Sequence, residues 1–169
     1  MHILFIGYGK TSRRVAKQLF EQGHQISTIS QSPKTDSFAT HLIQDVHQLD
    51  LTAVTPIDWV YVLLSPKQST VEGYQQTYLD SVQPIVAALK QHPVKRIVVV
   101  SSTRVYGQDA GEIVDDETEI YPIDAQGTIL QQMEQAYFAA YPEQCTIIRP
   151  SGIYGASVER LQKMAASMT

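Results

Sequence analysis

The stretch that decides the fold is Ile3-Leu4-Phe5-Ile6-Gly7-Tyr8-Gly9-Lys10-Thr11-Ser12. Four consecutive apolar residues read as a buried strand, and Gly7 ends it. Val15, Ala16, Leu19 and Phe20 then recur on one face of a helix, which Gly23 stops. A strand, a glycine turn and a helix, in that order, aim the free N–H groups of the helix start at the turn. The helix dipole favours an anion there. Gly7 permits the tight turn, and Gly9 lets an anionic group approach the backbone.

The same alternation continues outward. Residues 24–29 read as a second strand, 41–43 as a weak third and 59–64 as a strong fourth. Residues 96–100, Arg-Ile-Val-Val-Val, form a fifth strand whose β-branched run suits burial on both faces. Residues 146–148 form a sixth. Helical periodicity appears at Val82, Ile85, Val86 and Leu89, within a helix expected from about residue 74 to 89. It recurs at Ile129, Leu130, Met133 and Tyr137, and at Val158, Leu161, Met164 and Ala165. Strands alternating with helices predict an α/β fold with a doubly wound parallel sheet in three α/β/α layers. The long irregular stretch at residues 107–125, with its acidic run Asp115-Asp116-Glu117, reads as a surface or active-site loop. A single domain over residues 1–169 is expected, with no other domain ahead of the first strand.

The glycine loop follows the template G-x-G-x-x-G, with Ser12 in place of the third glycine. Its position as the first strand-to-helix turn of a βαβ unit makes it a dinucleotide site rather than a bare turn. Gly9-Lys10-Thr11 also looks like the end of a triphosphate-binding loop, but Leu4 stands where that motif needs glycine. The second strand runs out near Ser30-Gln31-Ser32, where an NAD-selective site usually carries a carboxylate for the ribose hydroxyls. With serine there, NADP gains a slight preference over NAD. Lys34, Arg13 or Arg14 could neutralise a 2′-phosphate, or could simply be solvated surface cations.

Bulk composition narrows the classes. With 13 Lys and Arg against 17 Asp and Glu, the net charge is −4, and no basic face points to nucleic acid. The five histidines are dispersed and the single cysteine, Cys145, reads as a buried small hydrophobe, so no metal is expected. No apolar run reaches membrane length, and a cytoplasmic location is the default expectation.

Two further motifs carry a resemblance. Val99-Val100-Ser101-Ser102-Thr103-Arg104-Val105-Tyr106-Gly107 resembles the V-S-S-x-x-V-Y-G of the extended and atypical short-chain dehydrogenase/reductases, the NAD(P)-dependent epimerase/dehydratase family. Arg149-Pro150-Ser151-Gly152-Ile153-Tyr154-Gly155 is similar to that family's R-P-x-x-x-Y-G. The resemblance implies bound NAD(P) and hydride chemistry at a hydroxyl or carbonyl carbon. Ser102 matches the serine that bonds the reacting oxygen, although it could equally cap the strand end. Asp45 matches an aspartate near the adenine, and Pro150 and Ser151 match backbone near the nicotinamide. With Gly7, Tyr8, Gly9, Lys10, Thr11, Ser12, Ser30 and Gln31, the strand ends Leu64, Ser65 and Ser101 complete the expected cofactor contacts.

The family's Tyr-x-x-x-Lys pair is missing. Aligned on Pro122 and the helical pattern, Gln126 stands at the tyrosine position and Leu130 at the lysine position. Glutamine has no titratable proton, so the usual proton transfer cannot run on these residues. Tyr121 and Asp124 are nearby substitutes, though each also fits a plain loop role, and Tyr106 and Tyr154 belong to the structural motifs. Two readings stay open: an oxidoreductase or epimerase-like enzyme acting on a small molecule, and a dinucleotide-holding sensor or scaffold without chemistry. Family members continue into a substrate-binding region that this chain is expected to lack. Helices 74–89 and 127–137 occupy positions where relatives tend to form homodimers.

Overall fold

The computed structural model describes residues 1–108, 110–153 and 166. The last predicted helix, with Val158, Leu161, Met164 and Ala165, and the motif residues Tyr154 and Gly155 lie outside the described residues.

Six strands form one parallel sheet: β1 (His2–Ile6), β2 (Gln25–Ser30), β3 (Thr40–Ile43), β4 (Trp59–Val62), β5 (Arg96–Val100) and β6 (Cys145–Ile148). Their order is β3-β2-β1-β4-β5-β6, and every neighbouring pair is parallel. The chain winds outward from β1 in one direction, then returns to β4 on the other side of β1. The switch point therefore lies between the carboxyl ends of β1 and β4, where open α/β sheets leave a crevice. The doubly wound Rossmann architecture is as the alternation predicts.

The period of two along β1 decides the core. Leu4 and Ile6 face the larger apolar cluster with Val60, Val62, Ile85 and Ile97, which α3 (Val82–Leu89) and α4 (Ala125–Ala140) cover. Ile3 and Phe5 face the other side, with Ala16 of α1 (Lys10–Glu21) and Ile26. Phe5 stacks on Tyr61 at 4.9 Å between ring centroids. Both faces of β1 are thus dry, which is why its sequence is an unbroken apolar run rather than an alternating one.

Three local expectations need correcting. The strand expected over residues 59–64 stops at Val62; the Leu63 N–H still donates to the Ile6 carbonyl at 2.9 Å, while the Leu63 carbonyl lies against Gly7. The single helix expected from about residue 74 to 89 is three pieces: α2 (Val71–Tyr74), a π-helical turn (Gln75–Leu79) and α3. Pro84 has no N–H to donate back across the break, so it belongs in the first turn of a new helix. The Ser81 hydroxyl donates to the Thr77 carbonyl at 2.7 Å and so satisfies a group the break exposes. Cys145 is half-buried rather than buried, and partial burial pushes its thiol up to about 11, away from reactivity.

Candidate functional site

At the switch point a cleft of about 960 Å³ opens over the carboxyl ends of β1, β2 and β4. Its floor is the glycine loop. Gly7 adopts φ +89°, and a Cβ there would sit 2.1 Å from the Leu63 carbonyl oxygen, so only glycine fits. The Gly7 N–H donates to the Ile29 carbonyl at 3.0 Å, tying the loop to β2. Gly9 differs: its φ is −92°, open to any residue, and a Cβ there would meet no protein atom within 4 Å. No side chain caps the Gly9 end of α1, and no acidic residue stands in its first turn. The helix start therefore presents backbone and open space to the cleft.

Ser12, the departure from the glycine template, is buried, and its hydroxyl donates to the Gly7 carbonyl at 2.8 Å. The serine cross-braces the turn from within. Lys10 and Thr11 are exposed on the first turn of α1.

Of the residues expected from sequence, Gly7, Tyr8, Gly9, Ser30, Gln31, Asp45, Leu64 and Ser65 all line this one cleft. Tyr8 packs its ring into the α1 side of the core and donates its hydroxyl to Asp36 at 3.2 Å. Burial and the Asp36 carboxylate push that phenol up to about 12, so it stays a donor. Arg13, a candidate for a 2′-phosphate, is engaged by the same carboxylate at 2.6 Å. The Ser30 hydroxyl donates to the Ser32 carbonyl. Asp45 accepts from the backbone N–H of His47 and from the Gln31 amide, and these bonds hold its carboxyl below the usual range.

Sequence reasoning missed the wall built by residues 67–80, with Lys67, Thr70, Gln76 and Asp80, and it missed His47. Nδ1 of His47 lies 2.8 Å from the Asp45 carboxylate and Nε2 lies 2.9 Å from the Gln76 carbonyl. Both partners only accept, so the ring is best satisfied with both nitrogens protonated, and its pKa is raised, first by Asp45 and then by Gln76. Only the capping geometry of Asp45 two residues earlier hinted at this.

The other expected residues stand apart from the cleft lining. Ser102 accepts from the Arg104 N–H at 3.2 Å and caps a short 3-10 turn, Thr103–Val105. Ser101 is buried, and its hydroxyl has no hydrogen-bond partner among the described residues. The Pro150 carbonyl accepts from the Thr103 N–H, and Ser151 is exposed. The half-exposed Tyr121 lays its ring against Gly107, where a Cβ would sit 2.2 Å from it. Asp124 caps α4 by accepting from the Gly127 N–H at 2.7 Å. It also binds Arg104 at 2.9 Å, and Arg104 first, then Gly127, holds it well below the carboxylate range. It is therefore an anion and not a proton donor at neutral pH. Gln126 uses both ends of its amide: Oε1 accepts from Arg104 at 2.8 Å and Nε2 donates to the Ser69 carbonyl at 2.9 Å. Leu130, 1% exposed, belongs to the main core.

The two later motifs meet in space. Arg149 donates to the almost fully buried Glu134 at 2.8 Å and to the Tyr106 hydroxyl at 3.0 Å. Tyr106 in turn donates to the Asp115 carbonyl at 3.1 Å, fastening the long loop. A second hollow of about 500 Å³ lies there, lined by Tyr106, Asp115, Asp116 and Arg149 among others. Among the described residues no helix is long and apolar enough to cross a membrane.

Comparison with known proteins agrees with this geometry. Protein YeeZ of Escherichia coli K12 is 30% identical over 106 residues, covering 63% of this chain and 38% of that one. The structure of a proposed NAD-dependent epimerase/dehydratase from Methylobacillus flagellatus superposes with TM-score 0.79 at 29% identity, over 99% of this chain and 59% of that one. The UDP-glucuronic acid 4-epimerase of Bacillus cereus, solved with NAD, superposes with TM-score 0.81 at 18% identity and shares the fold, over 99% and 64% of the two chains. The chain thus spans less than two thirds of the length of each of these relatives. The family model described as NAD(P)H-binding matches residues 7–164, and the chain belongs to that family.

Proposed function

We propose that the cleft holds NAD(P) with its pyrophosphate over Gly9 and the start of α1. The observation that carries this is the empty space at Gly9. No packing or torsional need of the protein explains a glycine there, whereas a phosphate lying against the backbone does. The adenosine end then runs past Ser30, Gln31 and Asp45, and the other end past Leu64 and Ser65. When bound, the nicotinamide supplies hydride exchange at a carbon bearing hydroxyl or carbonyl. This chain's residues bind and orient it: the α1 amides face the phosphates, and the Asp45–His47 pair braces the wall of the cleft.

The favoured activity is oxidoreductase or epimerase-like, on a small substrate of the nucleotide-sugar type that the names of the structural neighbours suggest. Exposed Ile113, Ile123 and Ile153 are apolar surface that a substrate-binding region would cover. A cytoplasmic homodimer, paired through the helices after β4 and before β6, fits the same reading.

A second reading, a dinucleotide-binding module without chemistry, is favoured by one observation. Gln126 and Leu130 are wholly committed to holding the structure together. A thermal titration with NAD, NADH, NADP and NADPH tests binding first. Ligand at 100 times its Kd adds about 2.7 kcal/mol of stability. No shift with any of the four would overturn dinucleotide binding. Turnover of a nucleotide-sugar panel then separates enzyme from module.

A further inference from the structure

Residues 63–70 connect β4 to α2, and Leu64, Ser65, Lys67, Gln68 and Thr70 of this connection line the cleft. Among the described residues, none from 64 to 68 makes a hydrogen bond. This wall of the cleft therefore owes its position to contacts at its far end. There the loop closes on α2. The Thr70 hydroxyl accepts from the Gly73 N–H at 3.0 Å, and a Cβ on Gly73 would sit 2.2 Å from the Gln68 carbonyl oxygen. The Ser69 carbonyl accepts from Gln126 Nε2 at 2.9 Å. Among the described residues, that is the one hydrogen bond tying residues 64–69 to the rest of the chain, and its partners are 57 residues apart.

Gln126 is itself held. Its Oε1 accepts from a terminal nitrogen of Arg104 at 2.8 Å. A guanidinium only donates, so the amide must turn its oxygen to Arg104, which leaves its nitrogen for the Ser69 carbonyl. Arg104 is oriented in turn by Asp124, whose carboxylate accepts from Nε and from a terminal nitrogen, both at 2.9 Å. The guanidinium also lies 5.6 Å from the centre of the Tyr74 ring on α2. The turn after β5, the start of α4 and the loop after β4 thus meet in one network. Arg104, Asp124 and Gln126 stand outside the cleft lining. The Arg104–Asp124 pair is more than a third exposed on both sides, so it adds little to global stability. What the network fixes is local geometry.

Resting on the dinucleotide reading above, we infer that Gln126 is a positioning residue for the bound dinucleotide: through the Ser69 carbonyl it latches the cleft wall formed by residues 64–69. It does so from the place where the family resemblance expects a proton donor. The wall faces the end of the dinucleotide opposite the adenosine. Without the latch the wall is competent to bind for only part of the time, and the apparent Kd rises by that fraction.

The test is calorimetric titration of the whole chain with the tighter-binding of NADH and NADPH, and with ADP, which has no nicotinamide. The emission of the bound reduced dinucleotide is recorded alongside. Gln126→Glu keeps an acceptor for Arg104 but has no N–H for the Ser69 carbonyl. It should melt close to the wild type. It should weaken the dinucleotide about fivefold or more, leave ADP within about twofold, and return the nicotinamide emission toward that of free nucleotide. Gln126→Leu drops both bonds and should weaken the dinucleotide at least as much. Dinucleotide bound by Gln126→Glu within about twofold of wild type overturns the inference alone. Equal weakening of dinucleotide and ADP overturns it too, because a general loss of order would act on both. Binding of none of these nucleotides by the wild type overturns it together with the dinucleotide reading.

Discussion

Around Gly9 the protein leaves bare backbone and open space; around Gln126 it fills every hydrogen-bonding position with its own side chains. Both lie where the family resemblance expects function, the first for cofactor and the second for proton transfer. On the proposed reading, the difference separates a surface left open for a ligand from side chains taken up by the fold. A binding surface shows as structure without an internal reason, and Gly9 has none. A residue that has moved to a structural task shows as satisfied on all sides, as Asp124, Gln126 and Leu130 are.

The harshest way to probe this contrast is to restore the missing pair. Leu130→Lys would place an ammonium in the buried core cluster that holds Val99, Met133 and Tyr137, and should cost about 4 kcal/mol or more in denaturant unfolding. If that variant kept near wild-type stability, α4 could host the family lysine and the contrast would break. Next, two glycine substitutions should behave oppositely. Gly7→Ala forces φ +89° and a clash with the Leu63 carbonyl, so it should lose about 2–3 kcal/mol and dinucleotide binding together. Gly9→Ala should stay within about 1 kcal/mol in melting but weaken NADH binding about tenfold or more, because the added methyl meets ligand and not protein. Equal, mild effects on binding from both would remove the case for a phosphate at Gly9.

Smaller effects sharpen the picture. Ser12→Ala removes the bond to the Gly7 carbonyl and should cost about 1 kcal/mol. Ser12→Gly restores the template but should loosen the loop, and tighter NADH binding by that variant would contradict the bracing role. The smallest effect is the pH dependence of His47. Its pKa is raised in the folded protein, so its contribution is fully present below the ordinary imidazole value of about 6.5 and is lost as pH rises through the folded value. Asp45 is lowered, so its share is present above about 3.9 and lost as pH falls through its folded value. The pair is half-exposed and solvent-screened, worth under about 0.5 kcal/mol. The stability gap between wild type and His47→Gln should be widest between those two limits and should narrow on going alkaline. A gap that widens instead would mean that the ring is neutral in this contact.

Most of the fold was legible because its signals are local. An apolar run such as residues 97–99 declares burial on both faces, and a glycine loop declares a turn between strand and helix. Eight expected site residues share the cleft because they sit at strand ends, and strand ends converge in any parallel sheet. The engagement of Arg13 was not legible because its partner lies 23 residues away in a loop with no periodic signal. His47 and Gln76 were missed for the same reason: 29 residues separate them, and only the packing of the π-helical turn against the loop after β3 joins them.

From its sequence alone, this protein is a doubly wound sheet with a glycine turn after its first strand, since side-chain period and glycine torsions act over a few residues. Only the tertiary structure decided which charges are spent and which remain free. Asp36 reaches Arg13, and Gln126 reaches Ser69, through crossovers whose paths are set by packing across the whole sheet.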